Sequence, residues 1–280
     1  MKDYFITLWI ASRKRPQLLE RCIKSFIDNA FDAKVIQLLL LVDRDDQDSI
    51  DLVLNLDKTY TQNLTIIIRK QGDTLVDYYN NYAAQCSNGH LIWGLNDECE
   101  CIINHWDYLL LKRYTKDILP KQDKVFYLII DDDSHYKNKT VHELGCCFPI
   151  LTKEAVQSLG FFMPPQIEWQ GADVALFKIF KTLMTSFNVE RILMCDNVKV
   201  THFSYNNGDI PADETQLRSY EISKTTGLNP AELEYYATIL YKKIMEKRLL
   251  FLDKEMYQFQ EYVNKIHQEE NKKRKETQNE

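Results

Sequence analysis

Glycine is scarce in this chain: 8 of its 280 residues are glycine, and no two of them form a Gly-x-Gly motif. Dinucleotide-binding fingerprints and Walker-A loops need clustered glycines, because only then can backbone N–H groups approach a phosphate closely. The sequence therefore excludes both kinds of phosphate-binding loop. A phosphate bound by this protein must be held in another way, most simply by a metal ion.

Three further absences narrow the class of protein. The longest strongly apolar run, Val35 to Val42, is far shorter than the roughly 18 residues that span a bilayer. We therefore expect no transmembrane segment. The chain has fewer basic residues (35) than acidic ones (41), which argues against a dedicated nucleic-acid surface. The 7 cysteines form no Cys-x-x-Cys pair, so we expect reduced thiols and a cytoplasmic protein. Cys99 and Cys101 are either buried thiols or, with a histidine, zinc ligands.

Strands and helices alternate along the first two-thirds of the chain. Helices are predicted from Pro16, over Asp73–Cys86 and over Asn104–Asp117. Such alternation predicts an α/β fold with a mostly parallel central sheet flanked by helices, and the continuous apolar runs indicate strands buried on both faces. The predicted strands are Tyr4–Ala11, Val35–Val42, Leu64–Arg69, His90–Leu95 and Val125–Ile130.

The last third is less regular. A short apolar stretch over Cys146–Leu151 precedes a predicted helix over Thr152–Leu159, and a second helix is predicted to begin near Gly171. Two late strands are predicted over Arg191–Met194 and Val198–Phe203. From Pro230 onward the pattern is helical and strongly charged.

Acidic residues concentrate where predicted strands end. In an open α/β sheet, ligands bind at the carboxyl ends of the strands. Carboxylates that meet at one edge repel each other unless a cation lies among them. The alternative is that each cluster is a solvated turn, since Asp is a favoured turn residue. The three clusters are Asp43, Asp45, Asp46 and Asp48; Asp97, Glu98 and Glu100; and Asp131, Asp132 and Asp133.

The order of several short segments resembles family 2-like glycosyltransferases of the GT-A fold. The resemblance covers residues 4 to 220, and its specificity comes from the order of the segments, because each one alone is short and degenerate. The segments are ITLWIASRKRPQLLERCIKSF, LLLLVDRDDQDS, VDYYNNYAAQCSNGHLIWGLNDECE, CIINHWDYLL, LGCCFPILTKEAVQSLGFFMPPQIEWQGADVALFKIF and VKVTHFSYNNGDIPADET.

The resemblance implies a domain organisation. A GT-A domain would occupy residues 1–212, with a nucleotide-sugar-binding half over 1–103 and an acceptor-side half over 104–212. Residues 213–280 would form a helical C-terminal extension with a charged tail, through which the chain could form oligomers.

The resemblance also implies a metal-dependent glycosyltransferase, which moves a sugar from a UDP- or GDP-sugar to an acceptor hydroxyl with inversion. A divalent Mn²⁺ or Mg²⁺ ion would neutralise the leaving diphosphate, which removes the need for a glycine-rich loop. Asp97 and Glu98 match the family's metal motif and His202 its late ligand, although the motif here is Asn96-Asp97-Glu98. His202 is either that ligand or a core histidine.

Inverting transfer needs a general base that takes the proton of the acceptor hydroxyl. Asp173 matches the family's base best, with Glu168 as the second choice; Asp173 is otherwise an acid in the first turn of a helix. Trp106 and Trp169 either stack on a sugar or belong to the core. The donor contacts implied by the resemblance are Ala11, Ser12, Arg13, Asp43 or the nearby Asp45, Asn80 or Asn81, Asn96 and Asp97.

Two other functions stay open. A metal-dependent phosphohydrolase would use Asp43 and Asp45 as nucleophile and acid, but the residues flanking Asp132 and Asp133 do not fit the later acidic pair of that class. A nucleotide-sugar-binding GT-A module that has lost its activity would account for the atypical Asn-Asp-Glu motif.

Overall fold

A computed structural model of the protein describes residues 4–69, 74–133, 141–167, 171–203 and 228–277. Its eight strands form one sheet in the order β3-β2-β1-β4-β7-β6-β8-β5. The strands are β1 (Tyr4–Ser12), β2 (Ile36–Asp43), β3 (Leu64–Arg69), β4 (Gly89–Asn96), β5 (Cys99–Cys101), β6 (Tyr127–Asp131), β7 (Ile150–Thr152) and β8 (Ile192–His202).

Helices connect most of these strands. Two of the helices contain π-helical turns, over Tyr78–Ala83 and Tyr114–Ile118. A short 3-10 helix, Ala33–Val35, precedes β2. The helices are α1 (Pro16–Asp28), α2 (Gln47–Asn55), α3 (Lys58–Thr61), α4 (residues 75–86), α5 (residues 106–118), α6 (Val141–Leu144), α7 (Lys153–Leu159), α8 (Ala172–Phe187) and α9 (Pro230–Thr277).

The strand pairing brings three carboxyl ends to one edge of the sheet. β1 lies between β2 and β4 and is parallel to both, so Ala11 is paired with Asn96 and Ser12 with Val42. β3 continues this parallel group. The turn after β1 therefore lies between the acidic turns that follow β2 and β4.

The fold class predicted from the sequence is confirmed, as an α/β sheet of mixed rather than uniform direction. β7 is antiparallel to both β4 and β6, and β5 is antiparallel to β8, whereas β6 and β8 are parallel. The five predicted early strands occur with ends shifted by a few residues. The two predicted late strands are wrong, because they form one strand, β8, whose register with β6 shifts after Ile130.

Three tryptophan side chains belong to the hydrophobic core that packs against the sheet. Trp9, Trp93 and Trp106 are fully buried. Each indole N–H donates a hydrogen bond: Trp9 to Ser87 Oγ at 2.7 Å, Trp93 to the Phe148 carbonyl at 3.1 Å and Trp106 to the Phe26 carbonyl at 2.9 Å. Buried indoles normally find such a partner. Trp106 is therefore a core residue, and Trp169 lies outside the described residues.

The last helix begins on the body of the protein and leaves it. Tyr236, Ala237, Leu240 and Ile244 of α9 are buried, and the Tyr241 ring stacks on Phe187 of α8 at 4.6 Å. The predicted domain boundary at 212/213 lies outside the described residues. In the described part of the chain, no helix has the length and apolar character needed to cross a membrane.

Candidate functional site

The turn after β1 carries two arginines that bind acids on opposite sides. Arg13 pairs with Asp43 at the end of β2, and Arg15 pairs with Asp97 and Glu98 after β4. Between them, Lys14 has a left-handed φ of 55°, and its N–H donates to Asp46 at 2.6 Å. The turn is thus fixed by its own backbone while its side chains bridge two acidic clusters.

Asp43 is the buried centre of the first network. Besides the pair with Arg13, it accepts a hydrogen bond from the Tyr78 hydroxyl at 2.6 Å. Asp45 lies 3.4 Å from Arg13 and is exposed. The predicted donor-binding residues Arg13, Asp43 and Asp45 are therefore in mutual contact at one edge of the sheet.

Asp97 is the buried centre of the second network. Its side chain is fully buried, lies 2.7 Å from the Arg15 guanidinium and accepts a 2.7 Å hydrogen bond from Ser12 Oγ. Its N–H donates to the Ala11 carbonyl at 3.2 Å. Burial raises the pKa of Asp97 to about 7, and Arg15 and Ser12 offset only part of that rise.

Glu98 lies beside Asp97 and is held by three polar partners. Arg15 forms an ion pair with it, Asn96 Nδ2 donates to it at 3.2 Å, and His202 Nε2 lies 3.6 Å away. Burial opposes ionisation of Glu98, but His202 and Arg15 outweigh it and lower the pKa. The His202 Nδ1 atom is buried and has no hydrogen-bond partner in the described part of the chain.

The carboxylates of the predicted metal motif do not fit a divalent cation as they are arranged. Arg15 already binds both Asp97 and Glu98 and occupies the space between them and a prospective cation with its own positive charge. Across the described ranges, no group of three His, Cys, Asp or Glu side chains is arranged to hold a metal ion, and this includes the buried Cys99 and Cys101. A cation at this position would require Arg15 to withdraw.

An aromatic contact joins this edge to the second half of the chain. The Phe148 ring lies edge-on to His202 at 4.8 Å. The adjacent Cys147 donates its N–H to the fully buried Asp132 at 2.6 Å. Burial, followed by the charges of Asp132 and Asp173, raises the pKa of the Cys147 thiol.

The predicted base Asp173 lies in the first turn of α8, and its side chain is half-buried. The helix begins after Gly171, whose φ of 87° is left-handed. This conformation suits glycine, since other residues rarely adopt it. Asp173 therefore lies at the N-terminal end of α8, whereas Glu168 lies outside the described residues.

The three acids after β6 diverge. Asp131 forms an ion pair with Lys199 at 2.8 Å, and Asp132 accepts the hydrogen bond from Cys147. Asp133 has a left-handed φ of 61° and donates its N–H to Asp131 at 3.1 Å. Asp131 and Asp132 therefore have different partners in the described part of the chain, although they are adjacent in sequence.

Asn80 holds the loop over Phe162 and Met163. Its Oδ1 accepts the N–H groups of Phe162 at 2.8 Å and Met163 at 3.1 Å, and its Nδ2 donates to the Met163 carbonyl at 2.8 Å. A Cβ on Gly94 would lie only 2.7 Å from the Phe162 ring, so β4 needs glycine there. The role of Asn80 toward a diphosphate stays a prediction, and Asn81 contacts Asp77 at 3.4 Å.

Sequence reasoning missed Arg15 and Tyr78. The signal for Arg15 was present, since the run SRKRP follows a buried strand and faces two acidic turns. Tyr78 gave no such signal. Only the packing of α4 against β2 brings its hydroxyl to Asp43.

Comparison with known proteins assigns the fold. No protein-family model matches the chain, and no curated protein matches it in sequence. Solved structures do. The mannosyltransferase PcManGT from Pyrobaculum calidifontis, determined with GDP-Man and Mn²⁺, shares 10% identity over 88% of this chain and 74% of its own, with a TM-score of 0.56.

Two further structures agree. S. aureus TarS 1-349, determined with UDP-GlcNAc, shares 10% identity over 85% of this chain and 72% of its own, with a TM-score of 0.56. GalNAc-T7, determined with UDP, GalNAc and Mn²⁺, shares 13% identity over 87% of this chain and 56% of its own, with a TM-score of 0.54. This chain therefore has the GT-A fold of nucleotide-sugar glycosyltransferases, as the sequence predicted. At these identities the likeness establishes the fold alone.

Proposed function

We propose that the protein is a glycosyltransferase that uses a UDP- or GDP-sugar and transfers the sugar to an acceptor hydroxyl with inversion. The observation that carries this proposal is the pair of arginine–carboxylate networks around the turn after β1. They lie at the carboxyl ends of parallel strands in a GT-A sheet, which is where open α/β sheets bind ligands.

The first network is suited to the nucleoside of the donor. The buried carboxylate of Asp43 is fixed by Arg13 and Tyr78, and a fixed carboxylate accepts hydrogen bonds from ribose hydroxyls or a base N–H. Ala11, Ser12 and Asp45 complete the predicted donor contacts on this side. The guanidinium groups of Arg13 and Arg15 are the nearby positive charges that can approach a diphosphate.

Asp173 is the proposed general base. In the proposed step it takes the proton of the acceptor hydroxyl, whose oxygen forms a bond to the anomeric carbon while the bond from that carbon to the diphosphate oxygen breaks. The nucleoside diphosphate leaves with the bonding electron pair. The position of Asp173 in the first turn of α8, with its side chain partly exposed, supports this role. Glu168 stays the second choice.

Dependence on Mn²⁺ or Mg²⁺, with Asp97, Glu98 and His202 as ligands, stays a prediction, and no step is assigned to the ion. The buried, unpartnered Nδ1 of His202 and the neighbours determined with Mn²⁺ favour it. The ion pairs of Arg15 with both carboxylates oppose it. The same ion pairs favour, as a second candidate, a nucleotide-sugar-binding module without turnover.

Calorimetric titration with UDP, GDP and their sugars, with Mn²⁺ or with EDTA, tests these proposals. We expect one nucleotide to bind, and Arg13→Ala to weaken that binding by at least about tenfold, the effect of losing one charged hydrogen bond. Lys121→Ala is the control, because this exposed lysine precedes β6 at the opposite edge of the sheet. If neither nucleotide binds under any condition, the proposed function is wrong. Binding without turnover identifies the binding module, and release of phosphate from simple esters identifies a phosphohydrolase.

A further inference from the structure

In the outer part of α9, the apolar side chains that the structure describes are exposed to solvent. α9 runs as one helix from Pro230 to Thr277, and its last buried side chain in the described set is Ile244. From Glu246 onward, every side chain that the structure describes is exposed. Leu249 is 58% exposed and Leu250 is 67% exposed.

The sequence of this outer part has a heptad pattern. Apolar residues recur at alternating spacings of four and three over 22 residues, and Lys242 and Glu270 occupy the next positions at the two ends. An average spacing of 3.5 residues keeps such a stripe on one face of two supercoiled helices. The stripe consists of Met245, Leu249, Leu252, Met256, Phe259, Val263 and Ile266.

This stripe is not the face that packs on the body. The body-facing residues Tyr236, Ala237, Leu240 and Ile244 follow their own helical spacing. At 3.6 residues per turn, Met245 lies about 100° around the helix from Ile244. The stripe therefore begins where packing on the body ends, and it faces a different direction.

We propose that the stripe over 245–266 binds the same stripe of a second copy of this chain as a parallel, two-stranded coiled coil. Taking Leu249 as position a, Arg248 falls at position g and Asp253 at the following position e. In a parallel pair, position g faces position e of the next heptad on the other helix. Arg248 then meets the partner's Asp253, and the symmetric pair forms as well.

The charges also disfavour the antiparallel alternative. With the two stripes aligned end to end in opposite directions, Glu255, at position g, meets the partner's Glu255. Like charges at such positions are unfavourable. The charge pattern therefore selects the parallel arrangement, in which the two globular bodies lie at the same end of the coil.

Sedimentation velocity and light scattering over about 1 to 100 µM, the range of dissociation constants in which a moderately stable dimer dissociates on dilution, test the dimer. We expect the wild-type chain to approach twice its mass of 33.2 kDa, and Leu252→Asp/Phe259→Asp to remain a monomer. Leu250→Asp/Tyr257→Asp is the matched control, with the same apolar-to-acidic changes outside the stripe, and it should still dimerise. A wild-type monomer throughout this range, or equal dimerisation of both variants, overturns the proposal.

Disulfide cross-linking tests the direction. In a background in which the exposed Cys86 is changed to serine, Leu252→Cys should form a covalent dimer under mild oxidation. Preferential cross-linking of a Leu252→Cys chain to a Phe259→Cys chain, with no Leu252→Cys homodimer, would show antiparallel pairing and contradict the proposal. Far-UV circular dichroism of each variant checks that the body is folded.

Discussion

The acidic residues after β4 and those after β6 look alike in sequence and are held in different ways. Asp97 and Glu98 share one arginine, Arg15, which comes from the neighbouring turn after β1. Asp131 and Asp132 have separate partners, Lys199 and the Cys147 N–H. The first pair is a coupled charge network around one arginine, whereas the second pair is bound through local contacts to two different partners.

The difference shows what decides the role of an acidic turn. Both clusters follow buried strands, so their position in the chain does not distinguish them. The partner that the neighbouring element supplies does: a guanidinium with several donors binds two carboxylates at once, whereas a backbone N–H satisfies only one. We therefore expect changes at the first network to affect both stability and ligand binding, and changes at the second to affect stability alone.

The largest expected effect is on transfer. Asp173→Asn should lower the rate of sugar transfer by about 10²–10⁴-fold, the usual contribution of a general base, and leave donor binding nearly unchanged. Steady-state kinetics and calorimetry measure the two quantities. Asp196→Asn, at an exposed site on β8, is the control. A variant that transfers sugar at close to the wild-type rate would remove Asp173 from the proposed role.

The next prediction compares how much each of the two clusters contributes to the free energy of unfolding. Arg15→Ala leaves two buried carboxylates without their cation and should lower the free energy of unfolding by about 3 kcal/mol. Lys199→Ala removes the partner of Asp131 from a pair whose lysine is 47% exposed, so the loss should be much smaller than that of Arg15→Ala. Urea denaturation measures both. Equal losses would contradict the distinction between a coupled network and local contacts.

A smaller effect is expected at Asp132. Asp132→Ala leaves the N–H of Cys147 without its acceptor, which should cost about 1–3 kcal/mol of unfolding free energy without changing nucleotide affinity. Asp133→Asn is the control, since asparagine tolerates the left-handed backbone at that position. A loss of nucleotide binding in Asp132→Ala would place Asp132 in the binding site instead.

A pH dependence belongs to the first network, and over a single pH unit it is the smallest of these effects. Because burial raises the pKa of Asp97 from 3.8 to about 7, the folded chain keeps a proton between these values that the unfolded chain releases. The contribution of Asp97 to stability therefore falls as the pH rises from 4 to 7, at roughly 1 kcal/mol per pH unit. Denaturation at pH 5, 6, 7 and 8 measures the difference between wild type and Asp97→Asn. A difference that stays constant across this range would show that Arg15 fully offsets the burial.

Much of the fold was predictable, because local patterns report it. Continuous apolar runs predicted β1, β2 and β4, and Pro16 with the apolar face behind it predicted α1. The strands β5 and β7 were not predicted from the sequence, because each has only three residues and forms through pairing with strands that are distant in sequence. The division of β8 into two strands was wrong for a related reason: a shift in register leaves a polar stretch inside one strand.

The candidate site was predictable in position and less so in its contacts. The acids at the ends of β2 and β4 were identified from sequence, and the structure brings both groups next to the turn after β1. Arg15 was missed, although its positive charge forms ion pairs with both Asp97 and Glu98. Which acid meets which cation depends on how neighbouring strands are paired, and a single sequence does not contain that information in any local pattern.

The scarcity of glycine and the order of the strand-end acids by themselves determined the class of site: no glycine-rich phosphate loop, and carboxylates at the edge of an α/β sheet. The heptad stripe of α9 is likewise a property of the sequence. Only the tertiary structure decided that Arg15 binds two carboxylates at once, that Asp132 accepts a backbone N–H, and that the Phe148 ring packs against His202. The physical reason is that residue type and periodicity act over a few residues, whereas ion pairs form between side chains that only chain folding brings within a few ångströms.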